Sequence, residues 1–416
     1  MNADSPPKSH TRSSGRNVST NATLTNIGRI RRVQAPIFQS PPSATPPLNP
    51  HRFFDTVIDI RHFAPPTPYR AGIFTMNVSI VDLSTVYQGE NAAMAFQHTL
   101  ERAKDADRLG FSRFWVAEHH GVGHIQAATT PEVMIPYIAA QTQRIRVGSG
   151  AVLLNHYSPY KVAETFSALD AMTPGRIDLG LGRANGFPAA DLALQHDRKQ
   201  QQRYVDDHAQ RIAEIIAFLH RGFPNDHPFA RIELARAPDS TPELWLLGSS
   251  PRSAQIAAKF GLPYCFAAFI NPSAAVHAFQ VYYQNFQPSA LGIANGKPKG
   301  MIGVNVSCAE TDQDAARLRA SPIAFYQRLG QQNFQAPPPA DQAIDYLGYV
   351  PDPTPHTLEA GNWPKQLSGS PQTIANYFEQ IREQTHVDEI IVQNLLGSAQ
   401  DALRSHQLIA EGVFAE

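Results

Sequence analysis

The sequence predicts a (β/α)8 TIM barrel with insertions at its C-terminal mouth, preceded by a disordered N-terminal segment. Three observations carry that expectation. From Met76 onward, eight strand-like runs alternate with helix-like ones. The strand-like runs are apolar on both faces and rich in β-branched residues, as parallel strands covered by helices must be. Residues 76–416 also exceed the roughly 250 that such a barrel needs, which leaves room for two long interruptions.

The elements follow in order. Residues 1–75 carry nine basic side chains (Lys8, Arg12, Arg16, Arg29, Arg31, Arg32, Arg52, Arg61 and Arg70) against Asp4, Asp55 and Asp59, amid Pro/Ser-rich runs such as "SPPSATPPLNP". Such a segment buries too little apolar surface to fold by itself. It reads as a disordered basic tail, as a transit peptide, or as upstream sequence outside the natural protein. The last is favoured, because Met76 opens the alternating strand "MNVSIVDLS". Strands are expected at 76–83, 111–118, 144–154, 175–182, 242–249, 263–270, 301–308 and 388–394. Helical spacing connects them, in "NAAMAFQHTLERAKDADRLG", "YKVAETFSALDAM", "PRSAQIAAKFG" and "SPQTIANYFEQIREQ". Two stretches break the rhythm: 185–240, with a helix of its own near 203–220, and the Pro-rich 330–367. Loops of that length are usually functional or disordered, and in a barrel they belong over the mouth.

Composition narrows the function. Lys+Arg at 35 against Asp+Glu at 36 creates no field for nucleic acid or an anionic membrane, so a small-molecule substrate is expected. No apolar run approaches the roughly 20 residues of a membrane span. The two cysteines, Cys265 and Cys308, lie in apolar runs without a metal or redox motif, which fits a cytoplasmic protein.

Barrel active sites form at the C-terminal ends of the strands. Glu118, His119 and His120 end the second strand; Ser149, Gly150 and Ala151 come late in the third; Gly182, Arg183 and Asn185 end the fourth; Gly248, Ser249 and Ser250 end the fifth. In "EHHG", adjacent residues of a strand point to opposite faces, and even with His124 nearby the spacing matches no common zinc signature, so no metal is expected. A buried carboxylate satisfied by an imidazole is one reading. A carboxylate that orients an acid/base histidine is the other, and the remaining strand ends favour it. In "LLGSSPRSAQ", a serine cap and a proline at the helix start leave backbone N–H groups for an anion, with Ser249, Ser250 and Ser253 adding hydroxyls. Arg183 supplies the charge that a phosphate prefers. "GLGRANG" is not a dinucleotide fingerprint, since no helix follows it directly. The glycines of "GSGAV" fit either a close ligand approach or tight packing.

With these residues in view, the chain resembles the bacterial luciferase-like flavin-dependent monooxygenases, in the alkanal monooxygenase alpha-chain-like subgroup. The motifs are "RFWVAEHHG", "RIRVGSGAVLLNHYSPYKVAETFSALDAMTPGRIDLGLGRANG", "LWLLGSSPRSAQIAAKFGLPYCFA" and "GSPQTI", in that order, within 76–411. The resemblance implies a barrel that holds FMN at its mouth and receives it reduced from a separate flavin reductase. It assigns Glu118 and His119 to the flavin and substrate side, with His119 catalytic and oriented by Glu118. Gly150 and Ala151 match a bulge with a non-proline cis peptide behind the isoalloxazine ring. Arg183, Gly248, Ser249, Ser250 and Ser253 fall in the phosphate clamp. The chain departs from the luciferase alpha chain at Gly248, where that chain is acidic, and at Gly182, where it has cysteine, so light emission is not implied. The implied function is FMN-dependent oxygenation of a small organic substrate. A deazaflavin-dependent oxidoreductase on the same barrel and a non-catalytic flavin-binding protein are the alternatives. A homodimer is expected through helices near strands two and three, where "TPEVMIPYIAAQT" is apolar.

Overall fold

The structure, a computed structural model, describes residues 76–183, 187–194 and 207–414. The expected disordered segment 1–75, Asn185 and the start of the helix near 203–220 lie outside them. The strands are β1 (Asn77–Asp82), β2 (Arg113–Val116), β3 (Arg146–Leu153), β4 (Ile177–Gly182), β5 (Glu243–Gly248), β6 (Tyr264–Ala267), β7 (Gly300–Cys308), β8 (Gln366–Gly369) and β9 (Glu389–Gln393). The helices are α1 (Ala92–Leu109), α2 (Pro131–Ala139), α3 (Pro159–Met172), α4 (Pro188–Leu194), α5 (His208–His220), α6 (Pro251–Phe260), α7 (Ala275–Asn285), α8 (Asp312–Gly330), α9 (Ala340–Leu347), α10 (Pro371–Thr385) and α11 (Ala399–Val413).

All strand pairings between these elements are parallel. β1 to β7 pair in sequence, β7 pairs with β9, and β9 returns to β1 to close an eight-strand barrel. Those eight strands are the eight expected. The Pro-rich insertion holds two further elements: α9, and β8, which pairs with the upper part of β7 from Asn305↔Gln366 to Cys308↔Gly369. Only four residues long, "QLSG" has no β-branched residue and gives little periodic signal, so it is set by its neighbour rather than by its own propensity.

Local chemistry fixes the helix ends. Asn91 caps α1 by accepting from the Met94 N–H at 3.2 Å, and Gly110 closes that helix with φ 94°. Ser250, Ser370 and Ser398 cap α6, α10 and α11 in the same way.

The core has two layers. A large cluster fills the space between strands and helices. Inside the barrel, six strands each contribute one residue to a second cluster: Val81, Trp115, Trp245, Cys265, Met301 and Ile391. The Trp115 and Trp245 rings meet edge to face, 5.7 Å apart. Glycines let β3 and β4 approach closely; a Cβ at Gly180 would stand 2.1 Å from the Ser149 carbonyl, and one at Gly148 would stand 2.5 Å from Asp178. For Gly148, tight packing is therefore the reason for the glycine.

A buried ionic floor closes the barrel at the N-terminal ends of the strands. Arg113 donates to Glu389 at 3.0 Å, to Asp178 at 2.8 Å and to Glu243 at 3.0 Å. Arg146 and the Trp115 indole also bind Asp178, and Lys299 binds Glu243 at 2.5 Å. Burial disfavours the Arg113 charge, but Asp178, Glu389 and Glu243 outweigh it and hold its pKa above the ordinary value. Burial likewise pushes the Glu243 carboxyl up, while Arg113, Lys299 and Arg146 outweigh it and hold it down at about 2.

Candidate active site

Because the strands are parallel, the ends named by the sequence meet at one mouth. Past β2 the chain enters a tied-down turn: the Ala117 N–H donates to the Asp82 carbonyl at 3.0 Å and the His119 N–H to the Ala128 carbonyl at 2.7 Å. Glu118 is buried. Its Oε2 accepts from the Leu153 N–H at 2.9 Å, at the end of β3. Its Oε1 accepts from the Tyr157 hydroxyl and from His120 Nε2, each at 2.6 Å. Tyr157 also lies 3.4 Å from His120 Nε2. Burial, reinforced by the Glu118 carboxylate, raises the Tyr157 pKa, so the phenol stays protonated and donates.

The expected pairing of Glu118 with His119 is not made. Glu118 orients His120 and Tyr157, whereas His119 Nδ1 meets Gln126 Oε1 at 2.6 Å. The reason is local: residues 118 to 120 lie past the end of β2, in the turn fixed by the His119 N–H on the Ala128 carbonyl, and that turn brings His120 rather than His119 to the carboxylate. Burial lowers the His119 pKa, with the Gln126 contact opposing. The imidazole is therefore neutral near pH 7. With Nδ1–H donating to Gln126, Nε2 carries the lone pair, and it makes no hydrogen bond to the described residues.

At the end of β3 the pairing with β4 shifts register between Ser149 and Val152, and the Gly150–Ala151 peptide is cis. A Cβ at Gly150 would stand 3.1 Å from Val81 and 3.2 Å from Trp115. Arg183 follows β4 and is exposed, beside the end of β5, where Leu181 is in register with Leu246. Ser250 caps α6 and accepts from the Ser253 N–H at 3.4 Å. The Ser253 hydroxyl donates to the Ser250 carbonyl at 2.6 Å and sits 3.0 Å from the Tyr264 hydroxyl, so it is committed inside the cap. Gly248 makes this tuck feasible, since a Cβ there would fall 2.1 Å from Ser253 Oγ. The Ser249 carbonyl is held by Asn271 at 3.1 Å, which fixes that turn.

Both insertions reach the loop after β2. Phe187, before α4, packs against Gly121 and meets the Phe334 ring edge to face at 5.4 Å. His124 Nε2 lies 3.1 Å from the Phe334 carbonyl, and His156 pairs with Asp191 of α4 at 3.2 Å. Gln126 and Tyr157 were not among the residues singled out by sequence, although both lie within eight residues of one that was, or of its motif.

Residues 76–389 match the family described as luciferase-like monooxygenase. The chain belongs to the luciferase-like monooxygenase family. Membership makes it an oxidoreductase that incorporates oxygen. Among relatives, the family includes an uncharacterised protein, YwcH, of Bacillus subtilis (strain 168), 38% identical over 338 residues, covering 81% of this chain and 98% of that one. The N-acetyl-S-alkylcysteine monooxygenase of the same organism is 33% identical over 343 residues, covering 82% and 99%. Of solved structures, apo-MsnO8 is 37% identical with a TM-score of 0.72, covering 82% and 99%. Two more distant ones share the fold. The oxygenating constituent of 3,6-diketocamphane monooxygenase from Pseudomonas putida, in complex with FMN, has a TM-score of 0.58 at 21% identity, covering 82% and 98%. An F420-dependent secondary alcohol dehydrogenase has 0.54 at 16%, covering 82% and 99%.

Proposed function

We propose that the protein uses reduced FMN and O2 to oxygenate a small organic substrate at the barrel mouth. The observation that carries this reading is the neutral His119, held through Nδ1 by Gln126 at 2.6 Å so that Nε2 is left to accept a proton. FMN, when bound, supplies the oxygen chemistry.

The residues present fit such a group. Arg183 and the Ser249 hydroxyl suit a phosphate, whereas the start of α6 adds little, because Pro251 has no N–H and the Ser253 N–H is taken by the Ser250 cap. Gly150 and Ala151 offer a side-chain-poor surface to a flat ring. Gly248 and Ser253 act on the clamp indirectly, by shaping the cap that Ser250 makes. Glu118 positions Tyr157 and His120 beside His119. Phe187 and Phe334, from the two insertions, meet beside the loop after β2, where they help to exclude water.

A relative named for N-acetyl-S-alkylcysteines makes a thioether of that kind the first substrate to try. In the same reading the protein is cytoplasmic, receives FMN from a flavin reductase, and forms a homodimer. α2 supports the dimer, because it exposes Val133 at 62% and Tyr137 at 47%.

Flavin titration followed by fluorescence tests the clamp. Arg183→Ala should weaken FMN by about tenfold or more, the order of one lost charge-assisted contact, and leave riboflavin nearly unchanged. An equal effect on both flavins removes Arg183 from the phosphate. Wild-type protein that ignores FMN and binds a deazaflavin cofactor would turn the reading to hydride transfer, as the F420-dependent neighbour is named for.

A further inference from the structure

Across the barrel from β3 and β4, three carboxamides stand in a row that none of the roles above uses. Asn305 on β7 is in register with Gln366 on β8 and with Gln393 on β9, so it stands between them. Their direction follows from the two-residue repeat. Val304, Val306, Leu367 and Val392 pack into the outer core, while Met301 and Ile391 belong to the inner cluster. The three amides therefore face the barrel interior, one layer above that cluster. They are 2%, 8% and 6% exposed.

Their hydrogen bonds are incomplete. Asn305 Nδ2 donates to the Lys365 carbonyl and to the Tyr326 hydroxyl, both at 3.4 Å, which leaves Oδ1 turned the other way. Asn305 Oδ1, Gln393 Oε1 and Gln366 Nε2 are buried without a hydrogen-bond partner. Buried amide atoms are bonded in nearly all proteins, so an unpaired donor beside two unpaired acceptors calls for an occupant. The complementary group offers one N–H and one C=O.

We propose that this row is the subsite that recognises a secondary amide of the substrate. It rests on the reading of the mouth as a monooxygenase site and names the substrate chemistry that the site selects. A substrate role fits better than a cofactor role. Gln366 lies on β8, which extends the wall beside the upper part of β7 and is not one of the eight ring strands, whereas Arg183, Ser249 and Gly150 lie at β3 to β5 on the far side. The substrate N–H donates to Asn305 Oδ1 or Gln393 Oε1, and its carbonyl accepts from Gln366 Nε2.

The test uses N-methylacetamide and methyl acetate, which differ chiefly in the N–H, as probes of 15N-labelled full-length protein. Gln366→Met and Gln393→Met assign the side-chain amide signals by their loss. N-methylacetamide should shift the Gln366 and Gln393 signals saturably and at least tenfold more tightly than methyl acetate, and Gln366→Met should weaken both probes alike, because it removes the donor to the carbonyl that they share. Equal action of the two probes, or no shift at these signals, overturns the proposal, and should one variant fail to fold, the signal assigned by the other still decides. FMN affinity should be unchanged in folded Gln366→Met. A tenfold loss would give the row to the cofactor and overturn the substrate assignment, leaving the proposed function intact. Wild-type protein that binds no FMN would instead sink the proposed function, and the probe comparison would still decide the amide site.

Discussion

At the scale of residues, the mouth separates two tasks that adjacent side chains perform. Glu118 is a fastener: one buried carboxylate joins the ends of β2 and β3 through the Leu153 N–H, the Tyr157 hydroxyl and His120. In the proposed reading His119 is the side chain left for proton transfer, and its Nδ1 contact with Gln126 sets which nitrogen carries the lone pair. Because burial lowers its pKa below 6.5, His119 is unprotonated at and above neutral pH and becomes protonated as the pH falls through that lowered value. Oxygenation of a thioether probe should therefore be level above pH 6.5 and decline on the acid side. His119→Gln should reduce turnover about 10²–10⁴-fold, with FMN affinity unchanged, and remove the acid limb. An acid limb that persists in the variant would assign it to another group. The sequence marked Glu118 and His119 as chemistry-bearing because ionisable side chains at the end of an apolar strand need a reason. It could not show which imidazole the carboxylate reaches, since the partners Tyr157 and Gln126 are 39 and 7 residues away from Glu118 and His119 in the chain.

At the scale of elements, the barrel is held from below by charge and from the middle by aromatic packing. Asp178 is fully buried, binds Arg113, Arg146 and the Trp115 indole, and joins β2, β3 and β4. Asp178→Asn should cost about 3–5 kcal/mol, the usual result of removing one partner from a buried ionic network. Urea unfolding reads that loss, and an unchanged midpoint would contradict the role given to the floor. The same network makes stability sensitive to acid. Glu243 is held at about 2 against an ordinary 4.5, so its contribution is complete above pH 4.5 and is lost as the pH falls toward 2. The ring strands were legible in the sequence because their apolar runs are continuous, and α1 and α6 because their caps are. The floor was not, since Arg113, Asp178, Glu243 and Glu389 are single charges in separate strands that meet only when the ring closes. β8 was hidden for a related reason: its four residues acquire strand geometry from β7.

At the scale of the whole molecule, eight parallel strands bring residues 118 to 253 to one rim, and two insertions meet above it through Phe187 and Phe334. The scaffold is that of the luciferase-like monooxygenases, matched over residues 76–389. Chemistry on such a barrel is set by the rim, not by the ring. In the proposed function, this rim directs the reaction of reduced FMN with O2. Stopped-flow mixing of the full-length protein, loaded with reduced FMN, against oxygenated buffer tests it most directly. The expected result is a flavin reoxidation trace clearly slower than that of free FMN, which the thioether probe accelerates while one oxygen atom of O2 is incorporated into it and the other leaves as water. A trace that matches free FMN at every protein concentration would mean that the rim does not act on that reaction.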